Sequence, residues 1–221
     1  MRLVSALCIV LSLTTAAAAQ NLTTSQILAK LDEKAKVFKS LDANITMEQV
    51  LSGVKRPPET GKIYIKMGKT APMVLFDITA PKKAAKTALV KDDLATLYFR
   101  EQKNYQQGRV GPGSNAFQLL LTGFGVTADT LKKYYTPEAK GRETLNGVVT
   151  EVLDLTLLPG QGGDFSKVTL WLDPKAWTPV QIRLTHKDTS TTTYKYSNVR
   201  LNSNMSDSVF KLDIPKDAIK Q

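Results

Sequence analysis

The sequence predicts an α+β domain organised around one large, curved antiparallel sheet or barrel. Six short stretches alternate apolar with polar residues and are separated by turn residues, the pattern of strands with one buried face. Two other stretches, one near the start and one in the middle, follow helical spacing instead. No domain boundary or internal repeat divides the 221 residues, a length at which one core suffices. Many strands at short spacing, flanked by few helices, favour a single sheet wrapped around that core.

The elements follow in chain order. Arg2, the apolar run from Leu3 to Leu13 and the small residues Ala17, Ala18 and Ala19 have the order of a secretory signal peptide. The run is far shorter than the ~20 residues that span a bilayer. Residues 1–19 are therefore expected to be removed on export, leaving 20–221 as a single domain. Cys8 lies inside the apolar run and is a poor lipid-attachment site, so no lipid anchor is expected. Because Cys8 is the only cysteine, the exported domain must be stabilised by its core and not by disulfides. No later segment is apolar for long enough to cross a membrane as a helix.

From Thr23 to Leu41 the residues Ile27, Leu28, Leu31, Ala35 and Phe38 recur at helical spacing, with lysines opposite; Thr24 or Ser25 is the expected cap. The simplest role is a wall packed on the sheet; a helix lying on a membrane surface is the sharper alternative. The period then becomes two. Ile63, Ile65 and Met67 share a parity, as do Val74, Phe76 and Ile78 before Pro81. Leu97 with Phe99, then Leu153, Leu155 and Leu157, then Val168, Leu170 and Leu172, then Val180, Ile182 and Leu184 repeat the pattern. Asp92-Asp93, Asn146-Gly147, Gly160–Gly163 and Asp173-Pro174 mark turns between them. In the middle, Ser114 is placed to cap a helix in which Phe117, Leu120, Leu121 and Phe124 share a face; Gly108, Gly111, Pro112 and Gly113 make its approach flexible. A further short helical turn is expected at 127–135.

The chemistry-bearing residues exclude more than they support. With one histidine, His186, and one cysteine, neither a histidine-rich metal site nor a nucleophile–histidine triad can be assembled convincingly. His186 continues the parity of its strand and reads as a structural histidine at the edge of the apolar face. Gly111-Pro-Gly113 has no Lys-Ser/Thr behind it, so it is no phosphate loop. A pair of carboxylates such as Glu151 and Asp154 leaves a hydrolase as a reading to be tested. The net charge of +10 comes from 30 basic against 20 acidic residues. The lysines are dispersed without aromatic platforms, which argues against nucleic acid. For an exported protein the partner of such a surface is an anionic membrane or an acidic protein patch.

Three stretches carry a resemblance. Gln49, Gly61–Lys66, Pro72–Ile78 and Pro81 resemble the opening strands of the periplasmic outer-membrane lipoprotein carriers, the LolA-like superfamily. Phe165–Asp173 with Pro179–Ile182 form the second stretch, and Asp207–Leu212 with Pro215, matching the family's closing strand, form the third. Together they span about Thr23 to Ala218. The resemblance implies a strongly curved, incomplete antiparallel β-barrel, a half-barrel covered by α-helices, with an apolar cavity for acyl chains between sheet and helices. It implies a soluble periplasmic monomer that shuttles lipoproteins or other lipids from an inner-membrane, ATP-driven release complex to an outer-membrane acceptor. It implies no catalysis, metal or cofactor.

By family position and shared parity, Val74, Phe76 and Ile78 would face the cavity, Ile63 and Ile65 would lie on the neighbouring strand, and Phe117, Leu120 and Leu121 would line the covering helix. For each of these the alternative is a plain core residue. The pattern departs from the family where an arginine precedes the second strand and helps hold the closed state. Here the stretch is Lys66–Ala71, and a lysine is a point charge without the guanidinium fork. A second reading on the same fold is a sensing or regulatory module that binds a lipid or an envelope protein.

Overall fold

The computed structural model describes residues 21–69, 71–110, 123–161 and 164–221. The expected signal peptide and the predicted helix carrying Phe117, Leu120 and Leu121 lie outside them. Strand β1 (Ser40–Leu51) is the centre of a 13-stranded sheet. On one side the meander β3 (Glu59–Lys66), β4 (Met73–Ala80), β5 (Lys86–Lys91), β6 (Leu94–Phe99) and β7 (Asn104–Arg109) runs outward from β1. On the other side β12 (Thr191–Leu201), β11 (Pro179–His186), β10 (Phe165–Leu172), β9 (Val148–Leu157) and β8 (Tyr135–Leu145) run outward in reverse chain order. The short β2 (Val54–Lys55) pairs with β1, and the terminal β13 (Ile219–Lys220) pairs in parallel with β7. The two outermost strands, β8 and β13, do not pair with each other, so the sheet is a curved open half-barrel.

The faces follow from the alternation. Leu41, Ala43 and Ile45 of β1 point to the same side as Ile63 and Ile65 of β3, their cross-strand partners being Ile65 for Leu41 and Ile63 for Ala43. This inner face packs against helix α1 (Thr24–Ala35), through Ile27, Leu28 and Leu31, and against helix α2 (Ala128–Tyr134), through Ala128, Leu131 and Tyr134, in one apolar cluster. Register shifts at Asp42/Asn44, Thr60/Gly61 and Ala139/Gly141 add the local bends that a sheet needs in order to curve. At Gly61 a Cβ would lie 2.0 Å from the Asp77 carbonyl oxygen, so only glycine lets β3 approach β4 this closely.

Several expectations are corrected. Helix α1 ends at Ala35 instead of running to Leu41, and its cap is Thr23, not Thr24 or Ser25. Gln26 decides the cap: only from Thr23 does it stand three residues on, where the two side chains satisfy each other's backbone N–H groups. Thr24 serves elsewhere, accepting a hydrogen bond from the Ala139 N–H beside the β8 bulge. Phe38 stays against the core from the turn after α1, where it fills the space a Gly125 side chain would need; Gly125 has φ +72°. Strand β1 replaces the end of the expected helix. Met67 lies just past β3 and is exposed.

The third motif, Asp207–Leu212, is no strand. It forms a 3-10 turn over Asp207–Val209 and then an irregular strap. That strap packs Met205 and Phe210 on Met73 and Leu75, which point to the outer face of β4. Lys66 holds it in place, donating to the Met205 carbonyl (2.6 Å) and to Asp207 (2.5 Å). The chain then reaches β7 as β13, after crossing the outer face from β12.

Candidate binding face

Five of the eight residues proposed from the sequence lie together on the inner face. Ile63 pairs with Phe76 and Ile65 with Val74, while Ile78 pairs with Gly61 across the bulge. Ile63, Ile65 and Val74 have no accessible surface and Ile78 almost none, whereas Phe76 is only half-buried. Phe117, Leu120 and Leu121 lie outside the described residues.

The half-buried residues are the informative ones. On β5 and β6 the inner-face side chains Ala88, Leu97 and Phe99 keep accessible surface, although they are apolar and continue the rows begun by Phe76 and Ile78. Their outer-face neighbours Thr87, Thr96 and Tyr98 are buried, the two threonines despite being polar. On an ordinary half-exposed sheet the polar residues face water and the apolar ones are covered. At these positions the order is inverted, while Val90, on the inner face next to Val74, is buried. Arg100 and Thr87 both donate to Asp77 on the outer face, Arg100 also reaches the Ile78 carbonyl (2.9 Å), and Lys211–Asp213 of the strap lie beside this network.

Tyr194 and Tyr196 of β12 continue the accessible apolar surface across β1, opposite Met47 and Ile45. Tyr194 meets Phe76 at 6.4 Å between ring centres, and Tyr196 meets Phe124 edge-on at 5.2 Å. Both tyrosines keep part of their area, yet burial pushes the Tyr194 hydroxyl up to about 12, with the Glu59 charge adding to it, and pushes Tyr196 up further. The sequence signal for this patch is the short alternation Thr192, Tyr194, Tyr196, which the run of threonines before it masks.

The residues considered for catalysis are held in structural pairs. Glu151 lies on the inner face, buried, and accepts from Arg142 Nε at 2.6 Å. Asp154 points to the outer face, where Thr169 Oγ1 (2.6 Å) and Lys167 Nζ (3.1 Å) donate to it. The sheet separates the two carboxylates, so they cannot flank one bond. Asp92 and Asp93 form the β5–β6 turn, both at positive φ. His186 is half-buried, with Nε2 3.1 Å from Thr192 Oγ1. Of Lys69 and Thr70, the two nearest to the family's arginine position, Lys69 is exposed and Thr70 lies outside the described residues. Among the described residues no three His, Cys, Asp or Glu side chains are grouped to hold a metal ion, and no helix is long and apolar enough to cross a membrane.

No protein-family profile and no curated protein sequence matches the chain. Solved structures do. An uncharacterised conserved protein from Thermus thermophilus is similar over 90% of this chain and 98% of its own, with 11% identity and a TM-score of 0.57. MucB, in the MucA/MucB complex from Pseudomonas aeruginosa, is similar over 86% of this chain and 61% of its own, with 13% identity and a TM-score of 0.51. A LolA superfamily protein from Nitrosomonas europaea covers 86% of this chain and 98% of its own at 16% identity, with a TM-score of 0.44. At these identities the likeness concerns the fold. That fold is a large, curved, open half-barrel of mostly antiparallel strands with helices on its inner face.

Proposed function

We propose that the protein is a periplasmic carrier that holds the acyl chains of lipoproteins, or of another lipid, against the inner face of its half-barrel and moves them from the inner to the outer membrane. The observation that carries this reading is the inverted burial on β5 and β6: apolar Ala88, Leu97 and Phe99 stay accessible inside while Thr87 and Thr96 are covered outside. An accessible apolar surface inside a concave sheet fits a ligand with apolar bulk. Each methylene taken out of water contributes about 0.8 kcal/mol, so one long chain is worth on the order of 10 kcal/mol before the cost of immobilising it. An open sheet suits the job because it need not be unfolded for so much surface to be released.

In this reading Ile63, Ile65, Val74 and Ile78 form the floor, Phe76 is the first residue in contact with the chain, and Phe117, Leu120 and Leu121 line the cover. The donor is an ATP-driven release complex in the inner membrane, and an outer-membrane acceptor takes the cargo. Displacement of a cleft-bound apolar dye by a triacylated peptide tests it: the carrier loses dye signal in proportion to added peptide. An unchanged signal, from protein that also purifies without lipid, contradicts it. A sensing module on the same fold is the second reading, favoured by the likeness to MucB, which is solved in complex with MucA. Capture of a membrane signalling protein, without acceptor-dependent lipid transfer, would favour it.

A further inference from the structure

The two ends of the half-barrel differ in the side chains that their turns expose. β1 begins with Ser40 opposite Lys66, near the end of β3, and Leu41 lies opposite Leu201, at the end of β12. Followed outward from β1, the register brings the β3–β4, β5–β6 and β8–β9 turns to this same end. Among the described residues eight large apolar side chains are exposed. Six of them, Val37, Met67, Leu94, Val148, Val149 and Leu201, are at this end, while Val54 and Ile219 are at the other.

Three of the six share a patch with lysines. The Met67 N–H donates to the Lys39 carbonyl (2.8 Å). The Asn202 side chain donates to the Val37 carbonyl (3.0 Å) and accepts from the Lys39 N–H (2.7 Å). These bonds tie the turn after α1 to the ends of β3 and β12, so Val37, 57% accessible, is presented with Met67 and Leu201 by paired backbone and not by loose chain. Lys36, Lys39 and Lys69 stand among them, exposed and, among the described residues, without an acidic partner. The acids nearby, Asp42 and Asp207, are already paired with Arg200 and Lys66. A cavity of about 420 Å³ beside the patch is lined by Lys39, Lys66, Asn202 and Asn204, with room for a phosphate group.

We propose that this end of the half-barrel docks on an anionic lipid bilayer. Val37, Met67 and Leu201 enter the interface, Lys36, Lys39 and Lys69 lie among the lipid phosphates, and Val148 and Val149 make a second point of contact. Apolar side chains ringed by uncommitted lysines are the composition of an interfacial membrane site. A stable protein partner buries one contiguous, shape-matched patch. Here the apolar side chains are divided between the Val37 patch and the β8–β9 turn, a layout that a fluid lipid surface meets without a matching shape. The β5–β6 turn carries Asp92 and Asp93 beside Leu94 and is left out of the contact. The docking does not depend on the carrier reading, because attachment to vesicles is read apart from extraction of lipid.

The purified protein is sedimented with vesicles of equal parts phosphatidylglycerol and phosphatidylcholine, and with vesicles of phosphatidylcholine alone, over a range of lipid concentrations at low and high salt. It binds the anionic vesicles about tenfold or more tightly, and high salt removes the difference. Lys39→Ala weakens binding to the anionic vesicles about fivefold, the effect of one charge at the surface. Val37→Ser combined with Met67→Ser weakens it about tenfold. Val54→Ser, at an exposed valine of the opposite end, leaves it unchanged. Equal binding to the two kinds of vesicle, or binding to neither, overturns the docking. Binding that Lys39→Ala weakens and the apolar substitutions do not is adsorption by charge alone, as to an acidic protein, and overturns it as well. A loss in Val54→Ser as large as in the Val37 and Met67 variant puts the contact elsewhere and overturns the assignment of this end.

Discussion

The two flanks of β1 are built from the same alternation and end in opposite states. On β9 and β10 the inner face is solid: Leu153, Leu155, Val168, Leu170 and Leu172 have no accessible surface, and α1 and α2 belong to the same cluster, whereas Tyr194 and Tyr196 of β12, next to β1, keep part of their area. The outer face of the β8–β12 flank carries polar networks, in which Trp171 Nε1 donates to Glu143 (2.6 Å) and Arg183 stands over the Trp171 ring at 5.0 Å. On the β3–β7 flank the outer face is covered, by the strap carrying Met205 and Phe210, and the inner face of β5 and β6 keeps accessible surface. One flank uses its inner apolar residues to fold. On the other, Ile63, Ile65, Val74, Ile78 and Val90 join the same core, while Phe76, Ala88, Leu97 and Phe99 keep accessible surface and the strap covers the outer face.

Substitutions that separate stability from binding break this comparison if it is wrong. Leu170→Ala, on the solid flank, removes a fully buried side chain and destabilises by about 2–5 kcal/mol in chemical denaturation, with lipid occupancy per folded molecule unchanged. Phe210→Ala, in the strap, destabilises by about 3 kcal/mol or more, because Phe210 is the largest side chain of the outer cluster and 1% exposed. Leu97→Ala, half-buried on the accessible flank, changes stability by less than about 1 kcal/mol and lowers lipid occupancy. Equal stability losses at Leu170 and Leu97 would erase the distinction between the flanks.

The inner-face tyrosines give a pH test. The Tyr194 hydroxyl titrates at about 12 in the folded chain and near 10 when unfolded, so the folded state binds the proton more tightly. Its contribution is complete below pH 10 and is lost as pH rises from 10 towards 12, on the order of 2 kcal/mol by the upper end. Tyr194→Phe, which keeps the ring against Phe76, flattens that part of the alkaline stability curve. The smallest effect is local: Thr23→Ala removes the cap of α1 and costs about 1 kcal/mol.

Much of this was legible in the sequence, and the omissions have physical causes. The parity of Val168, Leu170 and Leu172, or of Ile63 and Ile65, places those residues on one face before any coordinates, because a strand's period is two. Turn residues did the same for Asp92-Asp93 and Asn146-Gly147, all four of which adopt positive φ in the structure, a conformation that glycine, asparagine and aspartate tolerate best. Strand β1 was hidden because Ala35, Phe38 and Leu41 prolong the helical spacing of α1, although Leu41, Ala43, Ile45 and Met47 alternate as clearly as any later strand. The strap was read as a strand because spaced apolar residues, Val209 aside, suit an irregular segment equally well; Phe210 needs only the pocket above Met73 and Leu75. The accessible patch could not be read at all. Leu97 and Leu170 have the same parity and the same chemistry, and only the third dimension shows which one is covered.

The central claim is that the inner face of the β3–β7 flank holds acyl chains. Native mass spectrometry of the protein, purified without detergent from a Gram-negative periplasm, tests it most directly. Discrete adducts with the masses of acyl lipids or lipopeptides are expected, reduced in Leu97→Ala and retained in Leu170→Ala. A bare protein mass, unchanged after incubation with lipopeptide or phospholipid, would contradict it.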